Sequence, residues 1–290
     1  MKTTLPVGKR RVLDGTLQTI IPLACLLYTC LLSTFFGPCS FDRGSSNTIL
    51  TLLNTPGTKI SISWSGGKDS AYALWLTLQN PEFEVIELHT LINTETQRVG
   101  LHGIQKSLIQ QQADHMGLPV HFLELTKDAT NRSFEEVTAA YYEQLRSRGI
   151  STVMFGDIFL EDLKAYRDQI LEASGMTGHY PLWGMDTREL AEAFLENGFE
   201  STICAANPDH FKFTVAGKSY TQALIDQFPA AVDPCGENGE FHSFVHGGPI
   251  FHQPVPIEVG KRETHTYHFQ DDQGKAQTSN MEFADIRLKH

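Results

Sequence analysis

The sequence predicts an α/β protein: a parallel sheet wrapped by helices, followed by a second, smaller α+β unit. Three observations lead there. Short apolar runs alternate with amphipathic stretches from residue 59 to about residue 158. A Gly-Gly pair stands where the first apolar run gives way to the first amphipathic stretch. After Asp157 the rhythm changes to helices, one strand, a glycine-rich stretch and a closing hairpin pattern. Strands and helices alternating at this spacing need crossover connections, and crossovers make strands parallel.

The elements follow in order. "KISISW" (59–64) alternates like a strand, just after the turn signal Thr55-Pro56-Gly57-Thr58. "DSAYALWLTLQ" (69–79) spaces Ala71, Leu74, Trp75 and Leu78 on one helical face. A second strand is expected over 84–92, a helix over 102–116 stopped by Gly117, and a third strand over 119–125. Ser133 and Glu136 have capping-box spacing and open a helix that Gly149 stops; a fourth strand covers 151–158. In the second unit helices are expected over 160–175, 187–198 and 219–228, with a strand over 200–206. Residues 232–251 read as a glycine-rich loop, and the last stretch as a hairpin around Asp271-Asp272-Gln273-Gly274. This divides the chain into 1–57, 58–158 and 159–290.

Residues 1–57 do not match the rest. Gly15 to Phe41 carries no charged residue, and Lys2, Lys9, Arg10 and Arg11 precede it. That pattern suits a signal-peptide core or a membrane span. A real span would export the body behind it. The expectation is a non-native extension from an early start, with a membrane anchor, a cleaved signal or a buried helix as alternatives. Five cysteines, at 25, 30, 39, 204 and 235, form no CxxC pair. That fits a reducing compartment, and the body is expected to be cytoplasmic. A net charge of −11 with no basic stripe argues against general nucleic-acid binding.

Chemistry concentrates in two places. In "SGGKDS" (65–70), Gly66 and Gly67 let backbone amides approach a phosphate, and the following helix adds its positive end. Ser65 and Ser70 offer hydroxyls, Lys68 a charge, and Asp69 a ligand for Mg2+. The spacing is neither the Walker pattern nor GxGxxG. The plain alternative is a tight turn with Asp69 or Ser70 capping the helix. The second place, "PCGENGEFH" (234–242), packs a thiol, two carboxylates and an imidazole around two glycines, a composition suited to presenting side chains from a loop. Glu237 or Glu240 is a candidate proton acceptor, with His242 assisting. Cys235 has three readings: a buried small residue, a nucleophile, or a zinc ligand with His242, His246 and His252.

The loop resembles the pyrophosphate-binding loop of the N-type ATP pyrophosphatases. "FGDIFLEDLKAYR", "YPLW", "DPCGENGEFHSFV" and "GPIF" resemble the diphthine–ammonia ligase branch, and the likeness spans 58–290. It implies a Rossmann-like, HUP-type nucleotide domain and an enzyme that uses ATP and Mg2+ to activate a carboxylate as an acyl-adenylate, which ammonia converts to an amide. In that family the carboxylate belongs to a modified histidine of a translation elongation factor. The resemblance places Ser65 to Ser70 on the triphosphate, with His89, Thr90 and Asp157 along the nucleotide. It places Arg167, Cys235 and Gly236 on the substrate side, with Asp69, Glu237, Glu240 and His242 catalytic. His242-Ser243 stands where Glu-Thr is expected, which bears on the substrate. Adenylation of a nucleobase or tRNA carbonyl, and a nucleotide sensor without turnover, are the rival readings.

Overall fold

Strand β1 (Thr58–Ser63) runs through the middle of the first sheet, and its alternation buries Ile60 and Ile62 completely. A computed structural model describes residues 57–100, 102–126, 130–270 and 276–289. The apolar segment 15–41 lies outside them. Among the described residues no helix is long and apolar enough to cross a membrane.

The parallel strands are β1, β2 (Phe83–Asn93), β4 (Val120–Leu125), β5 (Thr152–Met154) and β6 (Thr177–His179). They lie in the order β4-β2-β1-β5-β6, and the two-residue β3 (Arg98–Val99) adds antiparallel to the end of β2. From β1 the chain moves one way to β2 and β4, then returns to lay β5 and β6 on the other side. The order therefore reverses between β1 and β5. In such a sheet the crevice opens at the carboxyl ends of those two strands.

Helix α1 (Lys68–Gln79) follows β1, α2 (Lys106–Met116) leads to β4, and α3 (Asn131–Ser147) leads to β5. Helix α4 (Glu161–Ala173) connects β5 to β6. The α3 box sits one turn earlier than its sequence signal: Thr130 is the N-cap and Ser133 the third helical residue, each hydroxyl accepting the other's amide at 3.3 Å. Glu136 instead pairs with Arg132 at 2.8 Å on the exposed face. The parallel sheet also continues past residue 158, because β6 pairs with β5 through residues 177–179.

After α5 (Thr187–Glu196) comes a second, antiparallel sheet of β7 (Glu200–Ala206), β8 (Phe241–Gly247), β9 (Ile257–Gln270) and β10 (Ala276–Leu288), in the order β8-β7-β10-β9. The closing hairpin is β9 and β10. Two elements differ from expectation. The helix expected over 219–228 shrinks to α6 (Gln222–Ile225), because Ser219 bridges Thr202, the Tyr220 amide donates to Ser201 O, and Thr221 caps what remains. The glycine-rich stretch contains β8, whose partners lie in distant β7. One apolar cluster joins the two sheets, running from Ile62, Trp64 and Leu74 to Ile203, Phe241 and Phe244.

A polar network braces β1 and β2 from behind. Glu87 is 1% exposed and takes a two-pronged pair from Arg148 at 2.6 and 2.7 Å. Tyr141 donates to it at 2.6 Å, and Tyr141 in turn meets Ser61 at 3.2 Å. Burial alone raises the Glu87 pKa, but Arg148, Tyr141 and His121 outweigh it and hold the carboxyl below its ordinary value. A depressed carboxyl stabilises the fold above its unfolded pKa, and that stability is lost as the pH falls through its folded value. Arg148→Ala is expected to cost about 2 kcal/mol at pH 7, reduced because the guanidinium is partly solvated. Denaturant titrations at neutral pH and near pH 3 should show the loss shrinking in acid; an equal loss at both contradicts the assignment.

Candidate active site

The carboxyl ends of β1 and β5 open into a cavity of about 650 Å³, walled on its far side by residues 235–243. The sequence turns here for a local reason. Gly66 adopts φ +81°, and a Cβ on it would stand 2.7 Å from Ile109 and 2.9 Å from Gln112. Gly67 is the N-cap of α1 and has no side chain to cap it; Ser243 Oγ takes the first helical amide, that of Lys68, at 3.1 Å. Neither Asp69 nor Ser70 is the cap that a plain turn would use. Ser65 Oγ accepts from the Gly67 amide at 3.2 Å, and Ser70 donates to Gly67 O at 3.0 Å. A helix start approached over glycine is an anion-binding arrangement.

Lys68 is 4% exposed and donates to Asp69 at 2.7 and 2.8 Å and to the Cys235 carbonyl oxygen. Burial works against its charge, but Asp69, Cys235 and Glu237 overcome it and hold the ammonium above its ordinary pKa. Glu237 faces the same cavity and accepts from the Ile158 amide at 2.9 Å. Burial first, then Asp69 and Asp157, push its carboxyl up to about 7. Asp157 does not cap α4, whose N-cap is Leu160. Its carboxylate pairs with Arg167 at 2.7 Å, and the guanidinium lies 4.5 Å over the ring of Phe155.

The structure thus gathers Ser65, Gly67, Lys68, Asp69, Ser70, Asp157, Arg167, Cys235, Gly236, Glu237 and His242 around one cavity. Four expected residues lie elsewhere, the first being Gly66, which packs against Ile109 and Gln112. His89 is buried inside the sheet, its Nδ1 2.9 Å from Ser61 Oγ and its carbonyl accepting from the Trp64 amide. Burial drives its pKa down to about 3. Thr90 donates to Trp64 O at 2.8 Å. Both hold the strand that feeds the loop. Glu240 is 2% exposed and turns inward to accept from the Asp233 and Asn238 amides, each at 3.0 Å. It shapes the loop rather than facing the cavity.

Cys235 is buried and donates its thiol to Thr187 O at 3.2 Å, and burial pushes its pKa up. The small-residue reading fits this, and a thiolate nucleophile does not. The zinc reading fails too: His242 lines the main cavity, whereas His246 lies in another beside Glu200 and Thr202. Among the described residues no three His, Cys, Asp or Glu gather to hold a metal ion.

Two family models match the chain, the diphthamide synthase N-terminal domain over residues 58–178 and the diphthamide synthase C-terminal domain over residues 186–276. The chain belongs to the diphthamide synthase family. No curated protein matches it. The first family domain contains the parallel sheet up to β6, and the second begins just ahead of α5.

Four site residues of this family member escape the sequence reading. Gln112, fully buried on α2, accepts from Trp64 Nε1 at 2.9 Å and donates to Gly66 O at 3.1 Å and Val245 O at 2.6 Å. Ser243 Oγ accepts from the Lys68 amide at 3.1 Å. A Cβ on Gly156 would stand 2.8 Å from the backbone of Asp69 and Ser70, so only glycine lets β5 end so close to α1. His102 lines the cavity from the β3–α2 turn. The Gly-Asp pair at 156–157 was a usable signal for one of them; the others depend on partners more than 45 residues away in the chain.

Gln112→Leu keeps the volume but strands the Trp64 Nε1 donor and weakens the tie between loop and β8. It is expected to lower stability by about 2–4 kcal/mol, read by equilibrium denaturation. A loss indistinguishable from zero shows that the tie carries no stability.

Proposed function

We propose that this chain is an ATP-dependent, AMP- and pyrophosphate-forming amide ligase. It activates a carboxylate as an acyl-adenylate and passes the acyl group to ammonia. One observation carries the reading. The start of α1, with its glycine approach and buried Lys68, opens into a cavity that the second half of the chain closes, and both halves match diphthamide synthase. The carboxylate that the family points to sits on a modified histidine of a translation elongation factor. His242-Ser243, in place of Glu-Thr, leaves room for a different acyl group.

The residues suit that chemistry. A carboxylate does not react with an amine at neutral pH, because its oxide is a poor leaving group; AMP is a good one. The substrate carboxylate oxygen attacks the α-phosphorus and the α–β bridging bond breaks. Pyrophosphate leaves toward the Gly67 amide and Lys68, which neutralise charge that is already positioned. Ammonia then adds to the acyl carbon, a proton passes from nitrogen to Glu237, and the acyl–oxygen bond to AMP breaks. Arg167, held by Asp157 and Phe155, presents a fixed cationic face at the outer wall. The oxygen-only set of Asp69, Ser65 and Ser70 fits Mg2+, which protein side chains bind with one or two carboxylates beside the phosphates. When bound, the ion supplies charge neutralisation on the phosphates, with Asp69 its protein ligand.

The first test incubates the protein with ATP, Mg2+, ammonium and the carboxylate-bearing factor. AMP and pyrophosphate are expected, and Asp69→Ala is expected to lower their formation at least about 100-fold. ADP with phosphate refutes the reading; tight ATP binding without any product favours a sensor.

Glu237→Gln keeps the acceptor for the Ile158 amide and removes the proton-accepting carboxylate. With Glu237 up to about 7, the deprotonated and active form accumulates as pH rises, so kcat/KM should climb through neutrality in the wild type. The variant should lose about 100-fold or more and show a flat profile over that range. An unchanged limb in the variant assigns the proton to another group.

A further inference from the structure

We propose that His102 and His242 form a paired imidazole clamp for the phosphoryl oxygens of the leaving pyrophosphate, beside Gly67. This rests on the ATP-splitting reading above and extends it to two side chains outside the glycine loop, one of them from each half of the chain.

The geometry comes first. The two rings face one another with centroids 4.6 Å apart and planes tilted by 37°. Both line the cavity together with Lys68 and Ser243. His102 reaches the loop itself: its Nε2 lies 3.2 Å from the point where a Cβ on Gly67 would stand. His242 Nε2 is shut off from solvent and has no hydrogen-bond partner. A buried ring nitrogen without a partner is rare in folded proteins, and a small turn of this ring, which already lines the cavity, would bring the nitrogen to a ligand there.

Charge then selects the ligand. The groups around the pair are Lys68 and Asp69 from α1, Ser243 from β8 and Glu237 from the 235–240 loop. Burial first, then His242 and Lys68 for His102 and Lys68 for His242, lower the pKa of both imidazoles and favour the neutral form. A neutral imidazole still donates one N–H, and it does so without adding a second charge beside Lys68. The start of α1 and Lys68 make this corner attractive to an anion. Two imidazoles alone also make no metal site, and no third ligand joins them among the described residues. A polyoxyanion with several acceptor oxygens meets every requirement: Lys68 and two ring N–H groups on one side.

Calorimetric titration of the full chain with inorganic pyrophosphate and Mg2+ tests this. His102→Phe and His242→Phe should each weaken pyrophosphate by about tenfold or more, whereas His102→Gln and His242→Gln, which keep a donor, should stay within about threefold. Adenosine affinity should stay unchanged in all four variants. The wild type provides a second measurement that needs no substitution to fold: ring signals of the two histidines in nitrogen–proton spectra should shift to a higher protonation midpoint on adding pyrophosphate. Unchanged affinity in both Phe variants, or ring signals indifferent to saturating pyrophosphate, overturns the clamp while leaving the ATP reading intact. If the wild type binds neither pyrophosphate nor ATP, the parent reading falls and the clamp with it.

Discussion

The buried ammonium of Lys68 is the constraint on which the site depends. A charge taken out of water costs several kcal/mol unless its hydrogen bonds are replaced. Asp69 supplies part of that replacement from the same helix. The rest comes from the Cys235 carbonyl and from the face of Phe241, 5.4 Å away, both in the second half of the chain. Lys68 is therefore satisfied only when the 235–241 segment lies against the start of α1. That segment holds its shape through its own bonds: Asp233 Oδ1 accepts from Cys235 at 2.8 Å, Glu240 holds the Asp233 and Asn238 amides, and Tyr220 donates to Pro234 O at 2.7 Å. Gly236 sits at φ +71°, where a Cβ would strike the Phe241 ring at 2.8 Å. Loop and wall are one object, built from segments about 170 residues apart.

Gln112 and β8 make the same connection through neutral groups. Gly66 O accepts from the Val245 amide at 2.9 Å as well as from Gln112, so the loop backbone behaves as an extra partner of β8. This explains why one apolar cluster runs through both sheets. The loop backbone is thereby fixed by the protein itself, and preorganised dipoles act without reorganisation cost.

Much of the parallel sheet was legible because its signals are local. Alternation in "KISISW", helical spacing in "DSAYALWLTLQ" and the stop at Gly117 each depend on neighbours within a few residues. The loop was legible for the same reason, since glycine, lysine and serine were adjacent. What stayed hidden depends on distant partners. Strand β8 reads as a loop because its hydrogen bonds go to β7 and to Gly66, and β6 is three residues long with its partner in β5. The composition of 234–242 announced chemistry but not direction. Of its two glutamates, Glu237 faces the cavity and Glu240 is consumed by backbone amides, and no spacing rule separates them. His89 and Thr90 follow the same logic: strand-end position suggested backbone contact with the nucleotide, and the sheet engages both of their side chains.

The cavity's charges also settle how its carboxylates divide their work. Asp157 is matched by Arg167, whose guanidinium is held by the Phe155 face, so that pair is a finished wall unit. Asp69 is matched by its neighbour Lys68 on the same helix, at 2.7 Å. Glu237 has no cationic partner at hydrogen-bond distance and keeps only the Ile158 and Phe159 amides, the second at 3.5 Å. Its neighbours Asp69 and Asp157 add repulsion to its burial, and together they push its carboxyl up to about 7. Three carboxylates in one cavity thus have three different surroundings: Asp157 is paired with Arg167, Asp69 with Lys68, and Glu237 is held by backbone amides.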